Sequence, residues 1–516
     1  MTSVQRESPV AETRFGPVRG RDDGRAVSFR GVRYAAAPAG ELRWRAPEPP
    51  EPWGEVADAT RFGPVCPQPV EPALPLELGA PQGEDCLTLN IYAPAGTQPG
   101  DGKPVMVWVH GGAYVIGSAS QPLYDGRRLA AAGDVVVVTL NHRLGVFGFC
   151  DLSSLSTARH RFDANPGLHD VLAALRWVRD NIAAFGGAPD NVTLFGESAG
   201  AGVVTTLLAV PAAAGLFHRA IAQSSPATSV YDGRRARRIA DLVLGELGIA
   251  AADAHRLREV PTAALVAATG AVFRRVPAQW PGILPFTPTV DGELVTDYPV
   301  QVARAGRTLP VPLLIGTNKH EAALFKWMKS PLMPITPEAL RAMFAQIAAE
   351  QPDLRLPSEE QLGAAYRTRR RTLHGLEVAR DIGFRMPTLW FADGHSAAAP
   401  VFLYRFDWST PLLKLIGVGA THATELPYVW GNLTMGPKDP TFRLGGRAAG
   451  RAVSQRMQAR WTAFARTGEP TGPPPRWETY RPGRRASLVI DRDDRSVDDL
   501  DADIRRTWGD AVLNFR

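Results

Sequence analysis

The sequence predicts an α/β fold, a central and mostly parallel twisted sheet with helices on both faces. Short β-branched runs bounded by Gly or Pro recur along the chain, as buried parallel strands require. Segments with apolar residues at helical spacing stand between them. In sheets built this way, the loops after the carboxyl ends of the strands hold the functional groups.

The elements follow in order. "PVMVWV" (104–109) and "DVVVVTL" (134–140) read as parallel strands. "LHDVLAALRWVRDNIAAFGG" then sets Leu168, Val171, Leu172, Leu175, Val178, Ile182 and Phe185 on one helical face. Gly186 stands just past that face, where a C-cap glycine belongs. "VTLF" (192–195) is the next strand and "AGVVTTLLAV" (201–210) the next helix. Further strands are expected at "RAIAQSS" (219–225), "VPLLIG" (311–316) and "PVFLYRF" (400–406). Residues 330–375, rich in Arg, Glu, Ala and Pro, break the rhythm and read as a helical insertion or lid. Prolines gather at 38–52, 64–81 and 470–475, where irregular connections are expected. No solenoid-like repeat is present, and residues 1–516 read as one domain carrying that insertion.

Composition narrows the function. A formal charge of +6 without a long Lys/Arg block implies a solvated surface, not a nucleic-acid groove. No segment reaches about 18 uninterrupted apolar residues, so no membrane span is expected. The first thirty residues lack an apolar h-region, which points to a cytoplasmic protein; a secreted mature form stays open. Cys66, Cys86 and Cys150 form no repeated CxxC pattern, which argues against zinc, and their odd number against a full disulfide framework.

Residues 196–200, "GESAG", carry the chemistry. A strand, G-x-S-x-G and a helix in succession is the context in which a serine is held out on a strained turn. Gly196 and Gly200 let strand and helix cross closely around Ser198. The same turn puts the Ala199 N–H at a helix N-terminus, where negative charge is stabilised. "HGGAYVIGS" (110–118) follows the strand "VMVWV", the place for a glycine-rich oxyanion loop. Gly112 and Ala113 would add their N–H groups to that of Ala199.

With these motifs the chain resembles the type B carboxylesterases of the α/β-hydrolase fold, which include para-nitrobenzyl esterases, animal carboxylesterases and cholinesterases. The likeness spans nearly the whole chain: "FRGVRYAAAPAGELRWRAPEPP" (29–50), "GEDCLTLNIYAP" (83–94), "NHRLGVFGF" (141–149), "FTPTVDGEL" (286–294), "GTNKHEA" (316–322) and "HATELPYVWGN" (422–432). It implies that the acid is Glu321 and the base His422, and the order Ser198, Glu321, His422 agrees with that fold. On the residues alone, Asp291 is a rival acid, and His320, His374 and His395 are rival bases. Glu197 resembles a buried family glutamate that orients water, tunes the site or serves as a structural hydrogen-bonding group. Ser225 suggests a supporting hydroxyl, but "QSSP" departs from the family's Q-S-G-x, so its register stays open. Val171 and Ala322 replace the usual Gln and Gly, with no expected loss of catalysis.

The resemblance also implies a Cys66–Cys86 disulfide, whereas a reducing cytoplasm favours free thiols; both states stay open. The loop between these cysteines has no aromatic residue, which argues against a choline-ester specialist. The expected activity is hydrolysis of small-molecule carboxylic esters through an acyl-enzyme, with no cofactor and no metal. Amide, carbamate or polyester hydrolysis by the same triad, and a non-catalytic adhesion or scaffold role, are the alternatives. The oligomeric state is not legible.

Overall fold

Val105, Val107, Val109, Val136 and Val138 are fully buried, and strands that hide both faces in this way belong at the centre of a sheet. In a computed structural model that describes residues 8–71, 76–366, 371–434 and 439–513, they lie in an eleven-stranded sheet. Its strands are β1 (Arg21–Asp22), β2 (Ala26–Arg33), β3 (Thr88–Pro94), β4 (Lys103–Val109), β5 (Val136–Leu140), β6 (Gly187–Glu197), β7 (Arg219–Gln223), β8 (Leu313–Asn318), β9 (Val401–Phe406), β10 (Ser487–Ile490) and β11 (Arg495–Val497). The spatial order is β11-β10-β9-β8-β7-β6-β4-β5-β3-β2-β1. From β10 to β5 every neighbour is parallel; β1, β2, β3 and β11 pair antiparallel at the edges. A separate three-stranded sheet joins Val10–Thr13, Gly16–Arg19 and Ala57–Asp58.

Helix α1 (Pro166–Asn181) is followed by a 3-10 turn (Ile182–Phe185) that stops at Gly186, whose φ of 80° suits a left-handed C-cap. Asp170 on α1 is fully buried and takes both Nε and Nη2 of Arg143, at 2.8 and 2.6 Å, together with the Arg143 N–H. This pair pins the loop after β5 to the helix; breaking one partner of such a pair costs about 3–5 kcal/mol. Helix α2 (Ala199–Leu208) leaves β6 directly, and α3 (Gly233–Leu247) and α4 (Thr262–Gln279) follow β7. Between β8 and β9 the chain is helical: α5 (Pro337–Glu350), α6 (Glu359–Ala365), α7 (Arg371–Arg380), a π-turn (Asp381–Arg385) and α8 (Met386–His395). Helix α9 (Arg447–Thr467) packs across the sheet.

The strands expected near 104, 134, 192, 219, 311 and 400 are all present, with ends that differ by at most five residues. Sequence pattern did not assign the antiparallel strands β1–β3 or the helices α3 and α4. The fold is that of the α/β-hydrolases.

Candidate active site

Five neighbouring strands release their chains toward one edge, and the candidate residues stand just past their carboxyl ends. Ser198 follows β6, the glycine loop follows β4, Ser224 follows β7, Glu321 follows β8, and His422 lies on the loop beyond β9.

The turn at Ser198 is forced by close packing. A Cβ on Gly200 would sit 2.1 Å from the Val109 carbonyl oxygen, and one on Gly196 would sit 2.6 Å from the Gly200 carbonyl carbon. Only glycines allow α2 to start this near β4 and β6. Ser198 itself has φ 56° and ψ −125°, a conformation disfavoured for side-chain-bearing residues. Its N–H is held by the Gln223 carbonyl at 2.9 Å.

The Ser198 Oγ lies 2.8 Å from Nε2 of His422, and Nδ1 of His422 lies 2.7 Å from Oε2 of Glu321. Glu321 is fully buried. Its Oε1 accepts hydrogen bonds from the Ser224 hydroxyl and the Asn318 N–H, both at 2.6 Å. The rivals are occupied elsewhere. Asp291 caps its own turn by accepting from the N–H groups of Glu293 and Val295 at 2.9 Å and also binds Asn165. His395 is bonded to Thr308 and the Val311 carbonyl. His320 packs against Gly419. The side chain of His374 lies outside the described residues.

Glu197 Oε1 faces His422 Nε2 at 3.2 Å, in a buried position. Burial pushes the Glu197 carboxyl up to about 8, against the lowering effect of the His422 charge. Burial alone would lower the His422 imidazole, but the facing carboxylates of Glu197 and Glu321 override it and raise it. The two groups therefore titrate as a pair.

The N–H groups of Gly112 and Ala113 donate to no acceptor among the described residues, and the Ala199 N–H, in the first turn of α2, has no intrahelical acceptor. Ala113 and Tyr114 hold φ of 53° and 62°, which curls the loop over the serine. Beneath it, His110 and His142 stack at 4.8 Å, and burial lowers both imidazoles, to about 3 and about 4, so the pair is neutral.

Three contributors were missed from the sequence. Ser224, not Ser225, reaches Glu321; Ser225 bonds Thr205 instead, at 2.9 Å. The shift comes from Ser224 turning to φ 52° as β7 ends, which no residue pattern announces. Glu425, fully buried and raised by burial and by the Glu321 charge, accepts from Asn318 and from Gln223 Nε2. It ties the end of β8, ahead of Glu321, to the end of β7.

Gln68 is the third. Its side-chain amide spans Gly117, accepting from the N–H at 2.7 Å and donating to the carbonyl at 2.9 Å. A Cβ on Gly117 would lie 2.5 Å from the Gly111 carbonyl oxygen, so this clamp bears directly on the oxyanion loop. Gln68→Ala is expected to lower stability by about 1–3 kcal/mol, by orphaning buried backbone groups, and to reduce kcat more than KM is raised. Denaturant melts and steady-state kinetics check both; an unchanged kcat would show that the clamp does not shape the site.

A cavity of about 770 Å³ opens above Ser198. Phe325 and Phe384 flank the His422 ring at 5.4 and 4.6 Å, and Met333, Met343 and Ile382 extend that wall. Phe384 sits on the π-turn, which is anchored where Asp381 takes Arg380 at 2.7 Å and the Tyr366 hydroxyl. Cys66 and Cys86 are buried free thiols beside each other, Cys66 accepting from the Leu144 N–H at 3.2 Å; Cys150 is buried as a small hydrophobe. Among the described residues no group of three or more His, Cys, Asp or Glu side chains could hold a metal ion, and no helix is long and apolar enough to cross a membrane.

Residues 7–506 match the Carboxylesterase family. The para-nitrobenzyl esterase of Bacillus subtilis (strain 168) is 37% identical over 505 residues, covering 96% of this chain and 98% of that one. Phenmedipham hydrolase of Pseudarthrobacter oxydans is 34% identical, covering 93% of this chain and 95% of its own. Among solved structures, a thermophilic PNB esterase superposes with a TM-score of 0.84 at 36% identity, over 98% of this chain and all of its own. The Geobacillus stearothermophilus carboxylesterase Est55 gives 0.84 at 37% identity, over 97% and 100%. The chain belongs to the carboxylesterase family, serine hydrolases of the α/β-hydrolase fold that cleave carboxylic esters.

Proposed function

We propose that Ser198, His422 and Glu321 form the catalytic triad of this carboxylesterase and that hydrolysis passes through an acyl-enzyme. The observation that carries the reading is the unbroken series of hydrogen bonds, 2.8 Å from Ser198 to His422 and 2.7 Å from His422 to Glu321. Ser198 Oγ attacks the ester carbonyl carbon as its proton passes to His422 Nε2. The carbonyl oxygen takes the displaced electron pair and is held by the N–H groups of Gly112, Ala113 and Ala199. Each such donor is worth roughly 3–4 kcal/mol of barrier. Collapse expels the alkoxide, which takes the proton from His422. Water then gives a proton to His422 and attacks the acyl carbon, and the proton returns to Ser198 Oγ as the acid leaves. Glu321 fixes the imidazole tautomer and stabilises the imidazolium without being protonated. The chain works as one α/β-hydrolase body, with the insertion between β8 and β9 supplying a wall of the substrate cavity.

Incubation with an organophosphonate, followed by peptide mass spectrometry, tests the nucleophile. A single adduct on Ser198 is expected; an adduct elsewhere overturns the assignment.

Glu197 sets the pH range. Catalysis needs a neutral imidazole, so activity falls as pH drops through the His422 transition. With Glu197 present that transition lies above the ordinary histidine value of 6.5. Glu197→Gln removes the strongest raising charge, so the acidic limb of kcat/KM is expected to move to lower pH. A limb that stays in place would assign Glu197 a purely structural role.

A further inference from the structure

Seven large apolar side chains are exposed among the described residues, and four of them stand on segments that line the mouth of the cavity. Trp327 is 68% exposed, Leu415 74%, Ile416 50% and Leu444 53%. They come from three separate segments whose neighbours line the cavity: Phe325 and Met328 flank Trp327, Leu413 and Val418 bracket Leu415 and Ile416, and Thr441 precedes Leu444. The segments touch one another. The His320 N–H bonds the Ala420 carbonyl, the Leu324 N–H bonds Thr421, and Gly446 packs on Pro411.

Charge distinguishes this rim from the rest of the surface. Overall the chain has 58 Lys and Arg against 52 Asp and Glu. Residues 323–333, 410–420 and 439–449 hold Lys326, Lys329, Lys414, Arg443 and Arg447 against one acidic residue, Asp439. None of these five forms an ion pair with a carboxylate among the described residues; Lys414 and Arg447 lie over the rings of Trp408 and Phe442 instead. Asp439 accepts from the Thr441 N–H in its own turn, and Glu71 lines the cavity from another segment. Single exposed apolar residues need no explanation, but four of them on adjoining segments that are mainly cationic mark an interaction surface. Apolar tips flanked by Lys and Arg are the composition that settles into the headgroup layer of an anionic lipid surface.

We propose that the mouth of the cavity docks on anionic lipid surfaces, with Trp327, Leu415, Ile416 and Leu444 entering the interface and the basic rim meeting the headgroups. Seated this way, the apolar cavity opens onto the lipid phase, and an apolar ester reaches Ser198 without crossing water. Only this delivery role rests on the catalytic reading above; docking does not.

Co-sedimentation with phosphatidylcholine vesicles, with and without phosphatidylglycerol, tests the proposal. It is done on the wild type and on Ser198→Ala, so that binding is read without turnover. Both should bind the anionic vesicles and not the neutral ones, and added salt should release them. A triple variant Lys326→Gln, Lys414→Gln, Arg443→Gln should bind roughly fivefold more weakly for each charge removed. A triple variant Trp327→Ser, Leu415→Ser, Leu444→Ser should weaken binding by about tenfold or more. Both triples should hydrolyse a water-soluble nitrophenyl ester as the wild type does, which shows that they are folded. The proposal falls if the wild type does not sediment with anionic vesicles or if the triples bind as it does. It also falls if sedimentation velocity shows a dimer that the serine triple dissociates, since the face then belongs to a second copy. A wild type that binds vesicles but labels elsewhere than Ser198 would sink the catalytic reading alone.

Discussion

Replacing Ser198 by alanine is expected to lower kcat by roughly a millionfold while the protein folds and melts as the wild type does. The size follows from what stays behind. His422 and Glu321 would keep their 2.7 Å hydrogen bond, and the N–H groups over the cavity would still meet a carbonyl oxygen. Without Oγ, however, no acyl-enzyme forms, and water must attack without an oriented path. Oxyanion donors and binding alone leave a residual ~10³–10⁴-fold acceleration over water. Alanine also removes only one half-buried hydroxyl from a turn already held by the Gln223 carbonyl, so stability has little reason to change. Stopped assays on a nitrophenyl ester with freshly purified variant, against a no-enzyme blank, measure the drop. A loss of only tenfold would place the nucleophile elsewhere.

Glu321→Gln is expected to cost about 10⁴-fold in kcat, although it changes a single heavy atom. Oε1 accepts from both Ser224 and Asn318, so a glutamine must put its carbonyl oxygen there. Its NH2 group is then left at the Oε2 position, 2.7 Å from His422 Nδ1. A donor facing Nδ1 requires Nδ1 to accept, which moves the ring proton to Nε2. That nitrogen then points a proton at Ser198 and cannot take one from it. The double substitution Ser224→Ala, Glu321→Gln frees one of the two donors and is expected to recover part of the activity. No recovery at all would mean that charge on the acid, not the tautomer it imposes, accounts for the loss.

The chemistry was legible where it depends on local pattern. Ser198 was marked by glycines that a close crossing demands, and the parallel strands by unbroken runs of Val, Ile and Leu. Glu321 and His422 were reached through family motifs, since nothing in spacing alone brings residues 101 positions apart together. The groups that escaped notice act through tertiary contacts. Gln68 matters because the chain returns to Gly117 49 residues later, and Glu425 because Asn318 and Gln223 arrive from two other strand ends. The basic, apolar rim is likewise invisible in sequence, because its three segments are far apart until the fold gathers them. The edge strands β1–β3 mix polar and apolar residues on short, bulged runs, which gave no clean alternation to read.

The proposed nucleophile, oxyanion loop and acid hang directly from ends of the central sheet, and the proposed base from the loop beyond β9, whereas Phe384, Met333, Met343 and Ile382 come from the helical excursion between β8 and β9. On that reading, reaction and selection are borne by separate parts of the chain. Mutations among those helices can redraw the range of accepted molecules without disturbing bond cleavage, so drift or laboratory evolution has room to explore new preferences while turnover survives.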